Sequence, residues 1–287
     1  MRVVLLTAVP DVSRGYVEVV RAAGHEPVAV IVPRVRALAG EHVDAASPDV
    51  DVCFAASERS LARLLRAYEA DLGLCTGFPW LVSQDTLDAP RFGIVNGHPS
   101  LLPRYRGPFP LAWAVRNGET EIGMTYHFMD ASFDTGNLLA QKPIRLDADE
   151  TWESLVPKLA EASAELLPVV LSRVAAAERG EAQGRGEYRS RFEDAYAHID
   201  PARIAAETHA QVRAWAFVPP FARSGPLLER DGAVVRVVRT SLDEVDGAER
   251  LDCADGPVWI VEWEPAQVST NPSGGAASAG SRPSASA

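Results

Sequence analysis

The chain is poor in lysine, in cysteine pairs and in long apolar runs, and each shortage closes off a class of protein. Only Lys142 and Lys158 occur among 287 residues, and 28 Lys+Arg stand against 39 Asp+Glu, a net charge of −11. That balance argues against attraction of nucleic acid by the whole surface and leaves only a local basic patch open. Cys53, Cys75 and Cys253 are odd in number, widely spaced and without a C-x-x-C. Neither a disulfide framework nor a zinc knuckle is expected of them, and they read as free thiols in a reducing compartment. No run approaches the roughly 20 apolar residues of a membrane helix. The opening "MRVVLLTAVPD" is broken by Asp11 too early for a secretory leader. A cytoplasmic protein with no membrane contact and no stable protein partner is expected. Missing as well are G-x-G-x-x-G after the first strand and G-x-x-x-x-G-K-[ST] anywhere. Their absence removes the usual dinucleotide and P-loop sites.

What is present is an ordinary globular composition, 47% apolar and 23% charged. "RVVLLTA", "PVAVIV", "DLGLCTG" and "RFGIVNGH" are continuous apolar runs, the pattern of strands buried on both faces. Helical spacing follows the first of them in "RGYVEVVRAAG", with Gly24 as its C-cap, and recurs in "SERSLARLLRAYEA" behind Ser57. This alternation predicts a Rossmann-like α/β fold, a mostly parallel sheet with helices on both faces. Further along, "FPLAWAVRNG" reads as a helix, while "EIGMTYHFMD" and "GNLLAQKPIRL" read as two strands able to pair. "TWESLVPKLAEASAELLPVVLSRVAAAERG" reads as a long helix with Leu155, Leu159, Leu166 and Val170 on its apolar stripe and a bend at Pro168. The composition then changes, and four segments are expected: a main domain over 1–180, a polar linker over 181–200, a small β-rich domain over 201–265 and a disordered Ser/Gly/Ala/Pro tail over 266–287. The small domain should hold a helix from Pro201 to Trp215 and strands in "AVVRVVRT" and "GPVWIVEWE".

The candidate chemistry lies in "NGHPSLLPRYRGPFP". Residues two apart share a face of a strand, so Asn96 and His98 project side by side from the carboxyl end of a parallel strand, where ligands collect in open α/β sheets. Gly97 between them leaves the opposite face open to close packing. The proline-rich stretch that follows suits either a site wall or a plain rigid connection. In "MDASFDTGN", Asp130 and Asp134 lie in a turn closed by Gly136. They read either as turn-capping residues or, for one of them, as a carboxylate that folds back onto the imidazole and raises its basicity. His127 reads as a structural strand histidine, since its spacing fits no zinc pattern. Ser100 lacks the elbow of a nucleophilic serine. Arg104 and Arg106 read as solvated loop charges or as contacts for an anionic acceptor.

"NGHPSLLPRYRG" followed by "FDTGN" resembles the folate-dependent formyltransferase family. The signature is Asn-x-His, then Ser-Leu-Leu-Pro, then an Asp in a D-x-G turn about three dozen residues on, here Asn96, His98, Ser100 to Pro103 and Asp134. The resemblance runs from Met1 to about Glu264 and is strongest from Gly77 to Gln141. It implies the formyltransferase fold with a small OB-like C-terminal domain. It also implies transfer of a formyl group from 10-formyltetrahydrofolate to a primary amine, with no metal. Asn96 would donate to the developing oxyanion, His98 would donate to it or take the amine proton, and Asp134 would orient His98 and favour its charged form. Pro79, Trp80, Leu81 and Val82 would cradle the pterin, Asp130 would line its other side, and Ser100, Leu101, Leu102 and Pro103 would border the formyl group. The two-domain layout resembles the members that act on methionyl-tRNA. Against that acceptor stand the two lysines and the lack of a basic insertion within "VPRVRALAGEHVDAASPDVD". A small amine, such as an amino sugar or an ornithine-like compound, and a hydrolase using water on the same donor are the alternatives.

Overall fold

The computed structural model describes residues 1–34, 49–230 and 232–266. The expected tail, apart from its first residue, lies outside them, as does most of the segment after the second strand. Arg2–Thr7 (β1), Glu26–Pro33 (β2), Asp51–Ala55 (β3), Leu72–Thr76 (β4) and Ile94–His98 (β5) form the parallel part of a seven-stranded sheet. Glu121–Phe128 (β6) and Leu138–Arg145 (β7) extend it antiparallel, giving the order β3-β2-β1-β4-β5-β6-β7. The strand β3 is absent from the sequence reading. It is a short edge strand, half exposed, and so lacks the unbroken apolar run that betrays its neighbours.

Each face of the sheet carries its own core. On one face Val3, Leu5, Leu74, Val95, Met124 and Tyr126 pack beneath the helices Pro10–Ala22 (α1) and, further along the chain, Trp152–Ala175. On the other, Val4, Leu6, Ile31, Cys75 and Ile94 pack beneath Glu58–Ala67 (α2) and the short Gln84–Leu87 (α3). Ser60 accepts the Ser57 N–H at 3.1 Å to start α2. Next come Pro110–Arg116 (α4) and the 24-residue Trp152–Ala175 (α5). A reciprocal pair of bonds, Ser154 N–H to Thr151 Oγ1 and Thr151 N–H to Ser154 Oγ, caps α5. Its buried side is Leu155, Ala162, Leu167, Val170, Leu171 and Val174. The predicted stripe is therefore corrected: Leu159 and Leu166 flank that side, half-buried, and Leu167 occupies it.

Residues 181–197 lie across the main sheet's rim as a strap. Leu138 and Glu181 exchange backbone hydrogen bonds at 2.8 and 2.9 Å, and Arg189 N–H donates to the Arg106 carbonyl at 2.7 Å. Beyond it, Ala205–Ala216 (α6) packs against four antiparallel strands. These are Leu227–Arg230 (β8), Ala233–Ser241 (β9), Glu249–Cys253 (β10) and Gly256–Pro265 (β11), in the order β10-β11-β9-β8. The Arg116 guanidinium joins the two sheets' surroundings: it sits 3.7 Å from the Tyr196 ring centre and 4.6 Å from that of Trp113, and it pairs with Glu193. Phe192 and Trp215 close the same aromatic group at 5.2 Å.

Candidate active site

The site grows from the carboxyl end of β5. Alternation along the strand sends Ile94, Asn96 and His98 to one face and Val95 and Gly97 to the other. Gly97 is required there. A Cβ would meet Met124 Cε at 2.8 Å, the Tyr126 ring at 3.0 Å and the Tyr16 hydroxyl at 3.2 Å. Antiparallel pairing sets His127 of β6 opposite Asn96. The loop after β6 then returns so that Asp134, 36 residues from His98 in the chain, faces the same group.

The distances define a polar cluster in a nearly dry setting. His98 is 5% exposed and His127 1%. His98 Nε2 donates to the Tyr105 carbonyl at 2.9 Å, so the neutral ring carries its lone pair on Nδ1, 3.5 Å from Asp134 Oδ1. His127 Nδ1 likewise donates to the Phe128 carbonyl at 2.7 Å, leaving Nε2 to accept from Asn96 Nδ2 at 3.2 Å. Asn96 Nδ2 also donates to Asp134 Oδ1, at a long 3.4 Å. Asp134 Oδ2 accepts the Gly107 N–H at 2.8 Å. The backbone cooperates at both partners: Gly107 adopts φ +118°, where a Cβ would run into the Arg189 carbonyl, and Asp134 itself is held at φ +55°. A left-handed Asp is tolerated better than most residues because its short side chain bonds locally.

Burial pushes the Asp134 carboxyl upward, but a charged His98 ring, the His127 ring and the Gly107 amide outweigh it and bring the group to about 2. His98 is lowered as well. Burial drives its imidazole below the ordinary value, and the raising influence of Asp134 and the Tyr105 carbonyl does not make up the loss. Asp134 favours the charged ring, and burial outweighs it. Burial thus favours the neutral ring, while the two histidines and the Gly107 amide hold Asp134 ionised. The orienting role also divides differently, since the Tyr105 carbonyl fixes the ring's tautomer while Asp134 faces its basic nitrogen.

The remaining predicted residues fall into two groups. Pro79 to Val82 form the loop after β4, where Val82 is buried, Leu81 is 47% exposed and Trp80 packs edge-on against Phe78 at 5.3 Å. Between the short helix α3 and the end of β6 lies an open cleft of about 510 Å³, lined among others by Leu87, Ile94, Met129, Asp130 and Asn137. Of the predicted pterin-side residues, Asp130 alone lines that cleft. Its carboxylate also caps the turn by accepting from Ser132 N–H at 3.0 Å and Thr135 Oγ1 at 2.6 Å. The Ser100 to Pro103 loop is fastened inward instead. Ser100 Oγ donates to the Arg104 carbonyl, Leu101 lies against Gly123, Leu102 is 3% exposed, and Gln141 Nε2 donates to the Leu102 carbonyl at 2.7 Å. Arg104 pairs with Glu119, and Arg106 donates to Gln183 Oε1 at 2.8 Å.

Two contributors escape the sequence reading. His127 was read as structural, yet it buttresses Asn96; the signal was its place on a strand pairing with the Asn-x-His strand. Gln183, from the strap, donates to the carbonyls of Asp134 at 3.0 Å and Gly136 at 2.7 Å, and so clamps the turn. Nothing in a polar, glycine-bearing stretch marks it. Among the described residues no group of three or more His, Cys, Asp or Glu is arranged to hold a metal ion. No helix among them is long and apolar enough to cross a membrane.

Comparison with known proteins places these features in context. Residues 18–171 match the family described as formyl transferase. A methionyl-tRNA formyltransferase from Agathobacter rectalis is 37% identical over 176 residues, 58% of this chain and 56% of that protein. The chain spans about half the length of the curated relatives it matches. Among solved structures, HypX from Aquifex aeolicus in complex with tetrahydrofolic acid superposes with TM-score 0.69 at 18% identity, over 92% of this chain and 44% of that one. A sugar N-formyltransferase from Shewanella sp. FDAARGOS_354 superposes with TM-score 0.66 at 18% identity, over 86% of this chain and 99% of that one.

Proposed function

The chain belongs to the formyl transferase family, and from that premise we propose that it moves a formyl group from 10-formyltetrahydrofolate to a primary amine. One observation carries the reading: Asn96, His98 and Asp134, far apart in sequence, converge at the carboxyl rim of β5 with a neutral imidazole facing an ionised carboxylate. The cleft fits a flat, partly apolar donor, with Leu87, Ile94 and Met129 for its ring and Asp130 and Asn137 as polar edges. When bound, the donor supplies an activated formyl carbon.

The protein's residues then have distinct tasks. The amine attacks the formyl carbon, a C–N bond forms, and the bond from that carbon to the folate nitrogen breaks. Asn96 relinquishes its 3.4 Å bond to Asp134 and donates to the formyl oxygen as charge collects there. Such a donor is worth roughly 3–4 kcal/mol when preorganised. His98 Nδ1 takes the amine proton and passes it to the departing folate nitrogen, which balances the exchange. Asp134 stabilises the transient imidazolium across 3.5 Å. His127 and Gln183 hold Asn96 and the Asp134 turn in place.

For the acceptor we favour methionyl-tRNA, as the names of the curated relatives suggest. A small amine remains the second reading, favoured by the chain's −11 charge and two lysines. Both readings carry a cytoplasmic setting, where the three thiols stay reduced. The test supplies 10-formyltetrahydrofolate with methionyl-tRNA, amino sugars or ornithine and follows tetrahydrofolate release. Release that depends on one amine supports transfer and names the acceptor. Release at the same rate without any amine replaces transfer by hydrolysis.

A further inference from the structure

One wall of the donor cleft is too short to hold its own shape. Gln84, Leu87 and Asp88 line the cleft from α3, a single turn of four residues, and from the residue that ends it. A helix of one turn has no stability of its own. Ser83 precedes it at the cap position, yet makes no capping bond from its side chain. That hydroxyl is committed to α2 instead. Ser83 Oγ donates to Glu58 Oε1 at 2.7 Å, the Ser83 N–H donates to the same oxygen at 2.9 Å, and Thr86 Oγ1 donates to it as well. Thr86 is fully buried, so its hydroxyl proton relies on Glu58. An acidic residue at the first position of a helix suits that helix's positive end. This carboxylate is spent on another element, and the bonds it accepts hold its carboxyl below the ordinary value. At the far end of α2, Arg66 Nη2 donates to the Asp85 carbonyl at 3.1 Å. Leu61 and Leu65 of α2 also share a core with Val82 and Leu87. Apolar contact has no direction. It keeps α3 against the sheet, and the polar ties set its place along α2.

We propose that Glu58 is a positioning residue for the donor: its carboxylate sets α3 in place, so that the cleft has its wall before the folate arrives. The proposal rests on the formyl-transfer reading above, which gives that cleft to the donor. Glu58 stands behind the wall and acts on binding through Ser83 and Thr86. Ser83 is also where the Pro79 to Val82 loop ends, so the same oxygen ties down the chain on both sides of the cap. Bonds to a charged acceptor are about twice as strong as neutral ones, which suits a tie that must outlast local opening. Without the tie, α3 is in place for only a fraction of the time, and the apparent dissociation constant of the donor rises by the inverse of that fraction. The effect falls on donor affinity, since Asn96, His98 and Asp134 belong to other elements.

The test titrates the full chain with 5-formyltetrahydrofolate by calorimetry, beside a thermal melt and amide hydrogen exchange. Wild type, Glu58→Ala, Glu58→Gln, Thr86→Val and the Glu58→Ala/Thr86→Val double variant are compared. Glu58→Ala should weaken binding at least about tenfold, the mark of a wall in place a tenth of the time, with the melting midpoint close to wild type. Glu58→Gln keeps an oxygen for the same three donors and should stay within about threefold of wild type. The double variant should bind no more weakly than Glu58→Ala, because the partner of Thr86 is already gone. The amides of Thr86, Leu87 and Asp88 bond within the turn, and their exchange should quicken in Glu58→Ala and slow again at saturating 5-formyltetrahydrofolate. Unchanged affinity in Glu58→Ala overturns the proposal. So does a fall in affinity that Gln fails to restore and that a lowered midpoint accompanies, which marks Glu58 as a support of the fold at large. If Glu58→Ala does not fold, Thr86→Val decides: weaker binding at a full midpoint supports the proposal, and unchanged binding overturns it. Failure of wild type to bind 5-formyltetrahydrofolate overturns the formyl-transfer reading itself, and the role of Glu58 with it.

Discussion

On one face of β5, Asn96 and His98 sit among a carboxylate, a second imidazole and two backbone carbonyls, with the nearby chain held at positive φ. On the other face the same strand offers Val95 and Gly97, the glycine over a buried pair of tyrosines whose hydroxyls meet at 2.8 Å. Both faces are nearly dry, yet polarity is used differently. The tyrosine pair is satisfied from within, both hydroxyls also meeting Ser163, and burial raises both phenols so that they stay neutral. The histidine face is left incomplete: one bond of Asn96 is long, and His98 presents a lone pair. Fully satisfied buried polar groups rigidify a fold, whereas partly satisfied ones hold interaction energy in reserve for a ligand. Chemistry is therefore expected to be lost on one face and stability on the other.

The sharpest break comes from His98→Ala or Asp134→Asn. Either change should cut turnover at least about a hundredfold, the usual contribution of a positioned acid–base group. Asn at 134 keeps an oxygen for the Gly107 N–H, so 5-formyltetrahydrofolate affinity and the melting midpoint should stay close to wild type. Steady-state kinetics with a thermal melt checks both halves, and near-normal turnover in either variant removes that residue from the mechanism. Gly97→Ala should disturb both faces at once. The added methyl meets the Tyr126 ring and the Tyr16 hydroxyl, neither of which can swing aside as Met124 can. Overpacking of this kind costs about 1–3 kcal/mol. At about 2–4 °C per kcal/mol for a domain of this size, the midpoint falls by several degrees. Turnover should fall with it, because Asn96 and His98 flank the displaced residue. A full midpoint with reduced turnover would show that the two faces are less tightly joined than the packing implies.

What the letters disclosed follows the same division. Period-two alternation put Asn96 and His98 on a common face and Gly97 opposite, and unbroken apolar runs marked β1, β2, β4 and β5. The turn pattern offered Asp130 or Asp134 as the carboxylate, and the family resemblance chose Asp134, since only the finished sheet shows which of them comes back to β5. Hidden were the contacts made by backbone. The Gly107 amide and the Tyr105 carbonyl carry no signature of their own, yet one helps to keep Asp134 ionised and the other fixes the tautomer of His98. His127 was hidden by register, because which residue of β6 lies opposite Asn96 is settled only when the two strands pair. That burial outweighs Asp134 at His98 was hidden for a related reason: desolvation is a property of the packed molecule.

Tyr126→Phe sharpens the comparison from the quiet side. It removes one hydroxyl from the buried group and leaves Tyr16 with Ser163 and Thr76, a change worth about 1–2 kcal/mol of stability. The aromatic ring under Gly97 remains, so turnover should stay within about twofold of wild type, an effect smaller than the roughly hundredfold of an acid–base group. A denaturant melt and a turnover assay on one preparation decide it. A large loss of activity would make the tyrosines part of the reactive face.

The smallest expected effect is a displacement of the pH at which His98 protonates. Burial lowers that value and Asp134 raises it, so wild type should titrate below the free-imidazole value of about 6.5. Asp134→Asn should lower it further, because the substitution removes the raising neighbour and leaves burial in place. Ring carbon shifts of His98 followed by NMR across pH 4–8 read the value directly, and an upward move in the variant would reverse the assigned balance. The sign carries into stability. Between about 6.5 and the lower folded value, the unfolded chain binds a proton that the native ring refuses, so stability falls as the pH falls through that window and is level above it. Asp134 adds a separate loss further down. Its contribution is complete above the ordinary carboxyl value near 4 and disappears as the pH drops toward about 2. The tyrosine face contributes nothing in either window, because neutral phenols have no proton to gain in acid. Acid should therefore loosen the histidine face first, and the Asp134→Asn variant should lack the lower of the two losses.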